Sequence, residues 1–172
     1  MLTLFVNHFK SQYAKNAKES QSAKEKRGRQ AESVANTLKQ RYGSDLRGSF
    51  VVLGDFNANY DAMELQDLLK LSNIENVVQN RSSNKLKIPG QDKVTDADRW
   101  THYLDGENTT SQLDYIILSP SIAERSTNEQ VIVEKCGLAK YAKEYTGERL
   151  LGVGPRNTEA SEHCAVFTTL QI

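Results

Sequence analysis

Asp55 and Asn57 stand one residue apart where the apolar run "FVVL" meets Gly54 and the chain turns polar. His8 follows "LTLFVN", Asp114 interrupts "QLDYIIL", and Glu162 and His163 come immediately before "CAVFTTL". Each lies at the mouth of a segment that reads as a buried strand, where neighbouring strand ends converge and sites are usually built. These residue types suit the cleavage of a phosphate ester. Carboxylates hold a hard divalent cation, and a carboxylate base draws a proton from water. An amide orients a phosphoryl oxygen, and an imidazole balances developing charge. Singly, each has a plainer use: His8 as a surface histidine, Asp55 and Asn57 as helix caps, "SEH" as a turn. Asp114 is harder to dismiss, because a carboxylate in an apolar strand needs a partner to offset its desolvation.

The elements that must position these groups follow from local pattern. "LTLFVNHF" reads as a first strand, and the polar stretch 11–30 as a loop. A helix is expected over "RQAESVANTLKQRYG", where Ala31, Val34, Ala35, Leu38 and Tyr42 recur at three- and four-residue steps before Gly43. "SFVVLG" reads as a buried strand and "DAMELQDLLKLSN" as a second helix, with Met63, Leu65, Leu68 and Leu69 as its apolar face. Residues 80–98 read as a long exposed loop. "RWTHYLD" and "SQLDYIILS" are expected to pair as strands across the turn "GENTTS". Residues 121–160 are less regular, with a helix at "LAKYAKEY" and a loop at "GVGPRNTEASE", and "HCAVFTTLQI" closes the chain as a strand. Strands alternating with helices point to an α/β layered domain.

The 172 residues make a single domain, 1–172, able to bury roughly two-thirds of its unfolded surface. Lys+Arg and Asp+Glu are both 22, which argues against a generally basic nucleic-acid binder. Basic residues nevertheless concentrate in 10–47, leaving room for a local phosphate-facing patch. No apolar run approaches the ~20 residues needed to cross a bilayer, so no membrane partner is expected. The opening "MLTLFVNHFK" lacks the basic start of a signal peptide. Cys136 and Cys164 have no metal-type spacing and read as free thiols in preference to a disulfide, which the sequence leaves open.

In succession, "NHFKS", "GDFNA", "LDYIILS" and "SEHCAV" resemble the later motifs of the endonuclease/exonuclease/phosphatase superfamily, the fold of pancreatic-type deoxyribonucleases and inositol-polyphosphate phosphatases. The resemblance runs from Asn7 to Val166 and is weakest over 80–98 and 121–160. It implies that Asp55 activates the attacking water, and that Asn57 binds the scissile phosphate and helps hold Asp55. It implies that His163 contacts the phosphate, that Asp114 fixes the tautomer of His163, and that His8 contacts the phosphate from across the cleft. Asn7 and Lys10, in the same "NHFK" stretch, are candidate substrate contacts. Glu162, where the family usually has Asp, is the implied ligand for Mg²⁺ or Mn²⁺. The implied fold is part of a four-layer α/β/β/α sandwich lacking its N-terminal strands and helix, so the family's principal metal-binding Glu has no counterpart. A chain so built should expose an apolar face and strand edges, and a homo-oligomer covering them is expected. The favoured activity is divalent-metal-dependent hydrolysis of a nucleic-acid phosphodiester, with other phosphate esters open. The rivals are a non-catalytic phosphate- or nucleic-acid-binding relative and an inactive fragment.

Overall fold

Six residues of alternating burial open the chain as β1 (Thr3–His8), with Phe5 turned inward and Leu4 and Val6 outward. The protein is seen here as a computed structural model describing residues 1–104, 107–140, 142–154 and 158–172. Helix α1 (Ala17–Tyr42) follows, and it begins well before the expected start. Asn16 caps it by accepting from the Glu19 backbone N–H at 2.9 Å, and the Glu19 carboxylate accepts from the Lys15 N–H at 2.9 Å. The stretch 11–30 is therefore mainly helix rather than loop. Its buried stripe was hidden because it runs through Ala23, Arg27 and Ala31, residues without large apolar side chains. Arg27 enters the interior by pairing with Glu64 at 2.9 Å. Burial pushes the Glu64 carboxyl up, but the hydrogen bond and charge of Arg27 outweigh it and hold the group below its ordinary range.

Strand β2 (Phe50–Asp55) carries the apolar run. The expected second helix shrinks to a 3₁₀ turn at Met63–Leu65 and a single turn, α2 (Gln66–Leu69); Leu65 and Leu68 are buried but Met63 faces out. Next come β3 (Glu75–Asn76), α3 (Val77–Asn80) and β4 (Leu86–Lys87), so the 80–98 segment holds a short strand and 3₁₀ turns. Strand β5 (His102–Leu104) pairs with β6 (Thr109–Ser111), and β7 (Asp114–Leu118) goes elsewhere. The expected pairing of "RWTHYLD" with "SQLDYIILS" is thus replaced by a tighter hairpin formed within the turn region. Asp105 and Gly106 of that turn lie outside the described residues, as do Tyr141 and residues 155–157 of the later loop.

After α4 (Pro120–Arg125) come β8 (Val131–Glu134) and β9 (Ala165–Thr168). The described part of "LAKYAKEY" is not helical. The Arg149 guanidinium takes the carbonyls of Leu138, Ala139, Ala142 and Tyr145 at 2.8–3.2 Å, which satisfies from outside the acceptors a helix would have paired. Both cysteines are free thiols, as the spacing implied; burial pushes the Cys164 thiol up to about 12.

The strands form a sheet in the order β1-β2-β7-β3, a second in the order β4-β8-β9, and the β5-β6 hairpin. In β2, Phe50 and Val52 pack with Ala31, Ala35 and Leu38 of α1, while Val51 packs with Val131 and Val133 of the second sheet. That period-2 alternation makes a helix layer, a sheet and a second sheet, which is an α/β architecture. Among the described residues, the side of β1 away from β2 has no strand neighbour. Leu4 and Val6, on the face of the sheet that Val51 shares, are 56% and 73% exposed, an open apolar face beside an open strand edge.

Candidate active site

Three neighbouring strands bring the acids together by register. His8, the last residue of β1, pairs with Asp55, the last of β2, and Asp55 pairs in turn with Asp114, the first of β7. The row is crowded at its start. Gly54 has φ +129°, and a Cβ added there would lie 1.9 Å from the Asn7 carbonyl oxygen. Only glycine allows β1 and β2 to approach so closely beside the Asp55 carboxylate.

Asp55 is held rigidly. The Asn57 backbone N–H donates to its Oδ1 and the Asn57 Nδ2 to its Oδ2, both at 2.8 Å. Asn57 adopts φ 52°, a left-handed conformation that Asn tolerates, and its Nδ2 also donates to the Phe9 carbonyl at 3.2 Å. Both amide hydrogens are thereby directed at the protein. In this arrangement Asn57 aims Asp55, the second of its two expected roles. Beneath the loop, Phe56 stacks between Phe9 and Tyr115 with both ring centroids 4.6 Å away. The Tyr115 hydroxyl donates to the Ala58 carbonyl at 2.7 Å, which ties the loop to β7.

Asp114 faces a histidine and a threonine. His163 Nδ1 lies 2.9 Å from Asp114 Oδ2, and the same oxygen accepts from Thr101 Oγ1 at 2.8 Å. Thr101 is fully buried, and its oxygen also accepts from the Leu113 and Asp114 backbone N–H groups at 3.0 Å. It locks the carboxylate in place. The hydrogen bond that His163 makes to Asp114 raises the imidazole above its ordinary range, against an opposing effect of burial, with further help from the charges of Asp114, Asp55 and Glu162. With Nδ1 committed to Asp114, Nε2 is the nitrogen left to face a ligand.

The sign of this shift gives an expectation. A raised folded-state value means that charged His163 stabilises the fold below the ordinary histidine range, and that this contribution fades as pH rises through the raised value. In Asp114→Asn the largest attraction is removed, while burial and the weaker pull of Asp55 and Glu162 remain. The His163 titration midpoint, followed by imidazole NMR, should then fall below that of the parent chain. A midpoint unchanged by the substitution would show that Asp114 does not govern this imidazole.

His8 is mostly exposed, with Nε2 3.6 Å from Asp55 Oδ2. Asn7 donates to the Phe5 carbonyl within its own strand at 2.9 Å, and Lys10 is exposed. Asn7 and His8 line a groove against Lys26, Arg29 and Gln30 of α1, which places part of the basic 10–47 segment beside His8. Glu162 is exposed, and its backbone carbonyl accepts from Tyr103 N–H at 3.0 Å.

Two residues of the site escaped the sequence reading: Thr101 and His102. The segment 162–164 lies against β5 through a bridge between His102 and His163, and Cys164 N–H donates to the Thr101 carbonyl at 2.6 Å. The His102 and His163 rings are 4.6 Å apart. Burial lowers the His102 imidazole below its ordinary range, helped by the neighbouring His163 and opposed by Asp114 and Asp55. The available signal was a count, since the chain has only three histidines and two had already been placed at strand mouths.

The ligand atoms of Asp55, Asp114 and His163 all lie within 4.8 Å of one another, close enough to share one metal ion. Two carboxylates fit a hard cation such as Mg²⁺ or Mn²⁺, and each retains lone pairs beyond its hydrogen bonds. Among the described residues Glu162 does not join this cluster, although its charge reaches His163.

A family model described as Endonuclease/Exonuclease/phosphatase family matches residues 28–133, a span that contains Asp55, Asn57, Thr101, His102 and Asp114. Among solved structures, the chain is similar to beta toxin from Staphylococcus aureus, with 16% identity and a TM-score of 0.45 over 77% of this chain and 42% of that one. It is also similar to a mannosyl-6-phosphatase from Bacteroides thetaiotaomicron, with 16% identity and a TM-score of 0.43 over 86% of this chain and 46% of that one. The chain thus spans less than half the length of either structure. No curated protein matches it.

Proposed function

Because the chain belongs to the endonuclease/exonuclease/phosphatase family, we propose that it hydrolyses phosphate esters with a divalent cation, a nucleic-acid phosphodiester being the favoured substrate. One observation carries this: a carboxylate aimed by two hydrogen bonds from Asn57 lies in the same cluster as an imidazole held by a second carboxylate. Asp55 takes a proton from a water as that water's oxygen attacks phosphorus. His163, charged through its bond to Asp114, donates from Nε2 to a non-bridging oxygen as negative charge builds there. The bond from phosphorus to the leaving oxygen breaks as the new one forms, the leaving oxygen keeping the electron pair and taking a proton from solvent water, and His8 meets the phosphoryl group from the β1 side. Asn57 keeps Asp55 from rotating away, so the base needs no reorganisation during the reaction.

Asp55 and Asp114, whose ligand atoms lie close enough to share one ion, would hold the cation. When bound, it would supply Lewis-acid stabilisation of the phosphoryl oxygens. The preference for nucleic acid rests on the groove beside His8, where Lys26 and Arg29 offer positive charge to a phosphate backbone.

The test is hydrolysis of bis(p-nitrophenyl) phosphate and nicking of plasmid DNA in Mg²⁺ or Mn²⁺, with chelator controls. Both activities should disappear in chelator and return with the cation. Phosphate or DNA binding that weakens with salt, without turnover in any divalent metal, would instead make the chain a non-catalytic binder.

A further inference from the structure

All three histidines of the chain gather at one cleft, although they come from distant parts of the sequence. Two already have partners there: His8 faces Asp55, and His163 is bonded to Asp114. His102 differs. Its ring lies 4.6 Å from the His163 ring, tilted by 57°, and the residue is only partly buried. Among the described residues, neither of its ring nitrogens has a hydrogen-bond partner. A polar ring brought to this depth without a protein partner forgoes a stabilising bond unless something else supplies it.

The backbone holds this ring closely. On one side β5 pairs with β6, His102 opposite Ser111. On the other, the bridge to His163, flanked by Tyr103 N–H to the Glu162 carbonyl at 3.0 Å and Cys164 N–H to the Thr101 carbonyl at 2.6 Å, fixes the two histidines side by side. The residue just before it, Thr101, is the one that locks Asp114. β5 thus holds His102 directly, His163 through the bridge and Asp114 through Thr101.

We propose that His102 is a substrate-contacting residue, donating a ring N–H to a non-bridging oxygen of the same phosphoryl group that His163 meets. The inference rests on the phosphate-ester reading of the site. The two imidazoles lie side by side, with the Asp55 and Asp114 carboxylates within ligand reach of His163. A phosphodiester has two non-bridging oxygens, and two adjacent rings suit that pair. His102 adds a donor without adding a group that must exchange a proton during the reaction.

The test uses the intact chain and dimethyl phosphate, a minimal phosphodiester, at constant pH and ionic strength. Three histidines give three sets of imidazole NMR signals, so each ring can be followed separately. The His102 and His163 signals should shift together and saturably, with the same midpoint. His102→Phe keeps an aromatic ring against His163 but removes the donor. It should weaken dimethyl phosphate binding and kcat/KM for bis(p-nitrophenyl) phosphate by about 10-fold or more, as expected for one hydrogen bond to a charged group. His102→Gln retains a donor and should recover most of the loss. If His163 shifts while His102 does not, or if His102→Phe binds like the parent, the inference is overturned and the proposed function stands. If no imidazole shifts and no hydrolysis occurs in any divalent metal, the proposed function fails and takes the inference with it. Should His102→Phe not fold, the shifts of the parent chain decide the question.

Discussion

Replacing Asp55 by Asn is expected to lower phosphate-ester hydrolysis by about 10²- to 10⁴-fold while leaving the chain folded. The substitution keeps the shape of the side chain and removes its ability to take a proton. Asn57 donates to both carboxylate oxygens, so an amide in that place satisfies one donor and opposes the other. The stability cost of that mismatch should be about 1–3 kcal/mol, small enough for a folded protein. Both β-ladders that flank Asp55 are backbone bonds and do not depend on its charge. Turnover of bis(p-nitrophenyl) phosphate, measured beside a thermal melt, separates the two effects. A folded Asp55→Asn variant with activity within a few-fold of the parent would remove Asp55 from the role of base.

Gly54→Ala should have the largest effect on folding. The added Cβ would overlap the Asn7 carbonyl oxygen at 1.9 Å, and that contact is backbone on backbone, which no rotamer change relieves. The φ of +129° is a second cost, because side chains other than glycine's rarely adopt it. Relief requires β1 to separate from β2, and among the described residues β1 is an edge strand with no other strand neighbour. The expected loss is about 3–5 kcal/mol, a large part of the stability of a domain this size. Urea denaturation should show a lower midpoint, and His8 should move away from Asp55 in whatever fraction stays folded. A variant as stable as the parent would mean that β1 and β2 are spaced more loosely than the register implies.

These two residues were legible for different reasons. Asp55 and Asn57 declared themselves as polar types closing an apolar strand, and Asp114 as an acid inside one. Gly54 was visible only as the residue closing an apolar run, and what approaches it, the Asn7 carbonyl, was not. The first half of α1 was missed because alanines and a paired arginine carry its buried stripe, which makes a weak periodic signal. The helix expected at 138–145 had suitable spacing, yet Arg149 draws its carbonyls into a loop from several residues further on. Thr101 and His102 were read only as strand residues, since nothing nearby in the sequence marks them as partners of Asp114 and His163.

By itself, the sequence determined which chemistry was available and roughly where each group stood: acids, an amide and imidazoles at the ends of apolar runs, in an order that identified the family. Those are local properties, set by residue type and hydrophobic period. Only the tertiary structure decided which strand ends meet. The segment 102–104 could have paired with 114–118, and the sequence alone did not exclude it. Instead Tyr115 and Ile117 of β7 pack with Phe56, Leu65 and the α1 side of the sheet, which commits β7 to β2 and leaves 102–104 to pair with 109–111. That choice puts Asp114 opposite Asp55 and leaves the other edge of β5 free to receive His163. Strand pairing is settled by packing between residues far apart in the chain, and a local pattern carries no record of it.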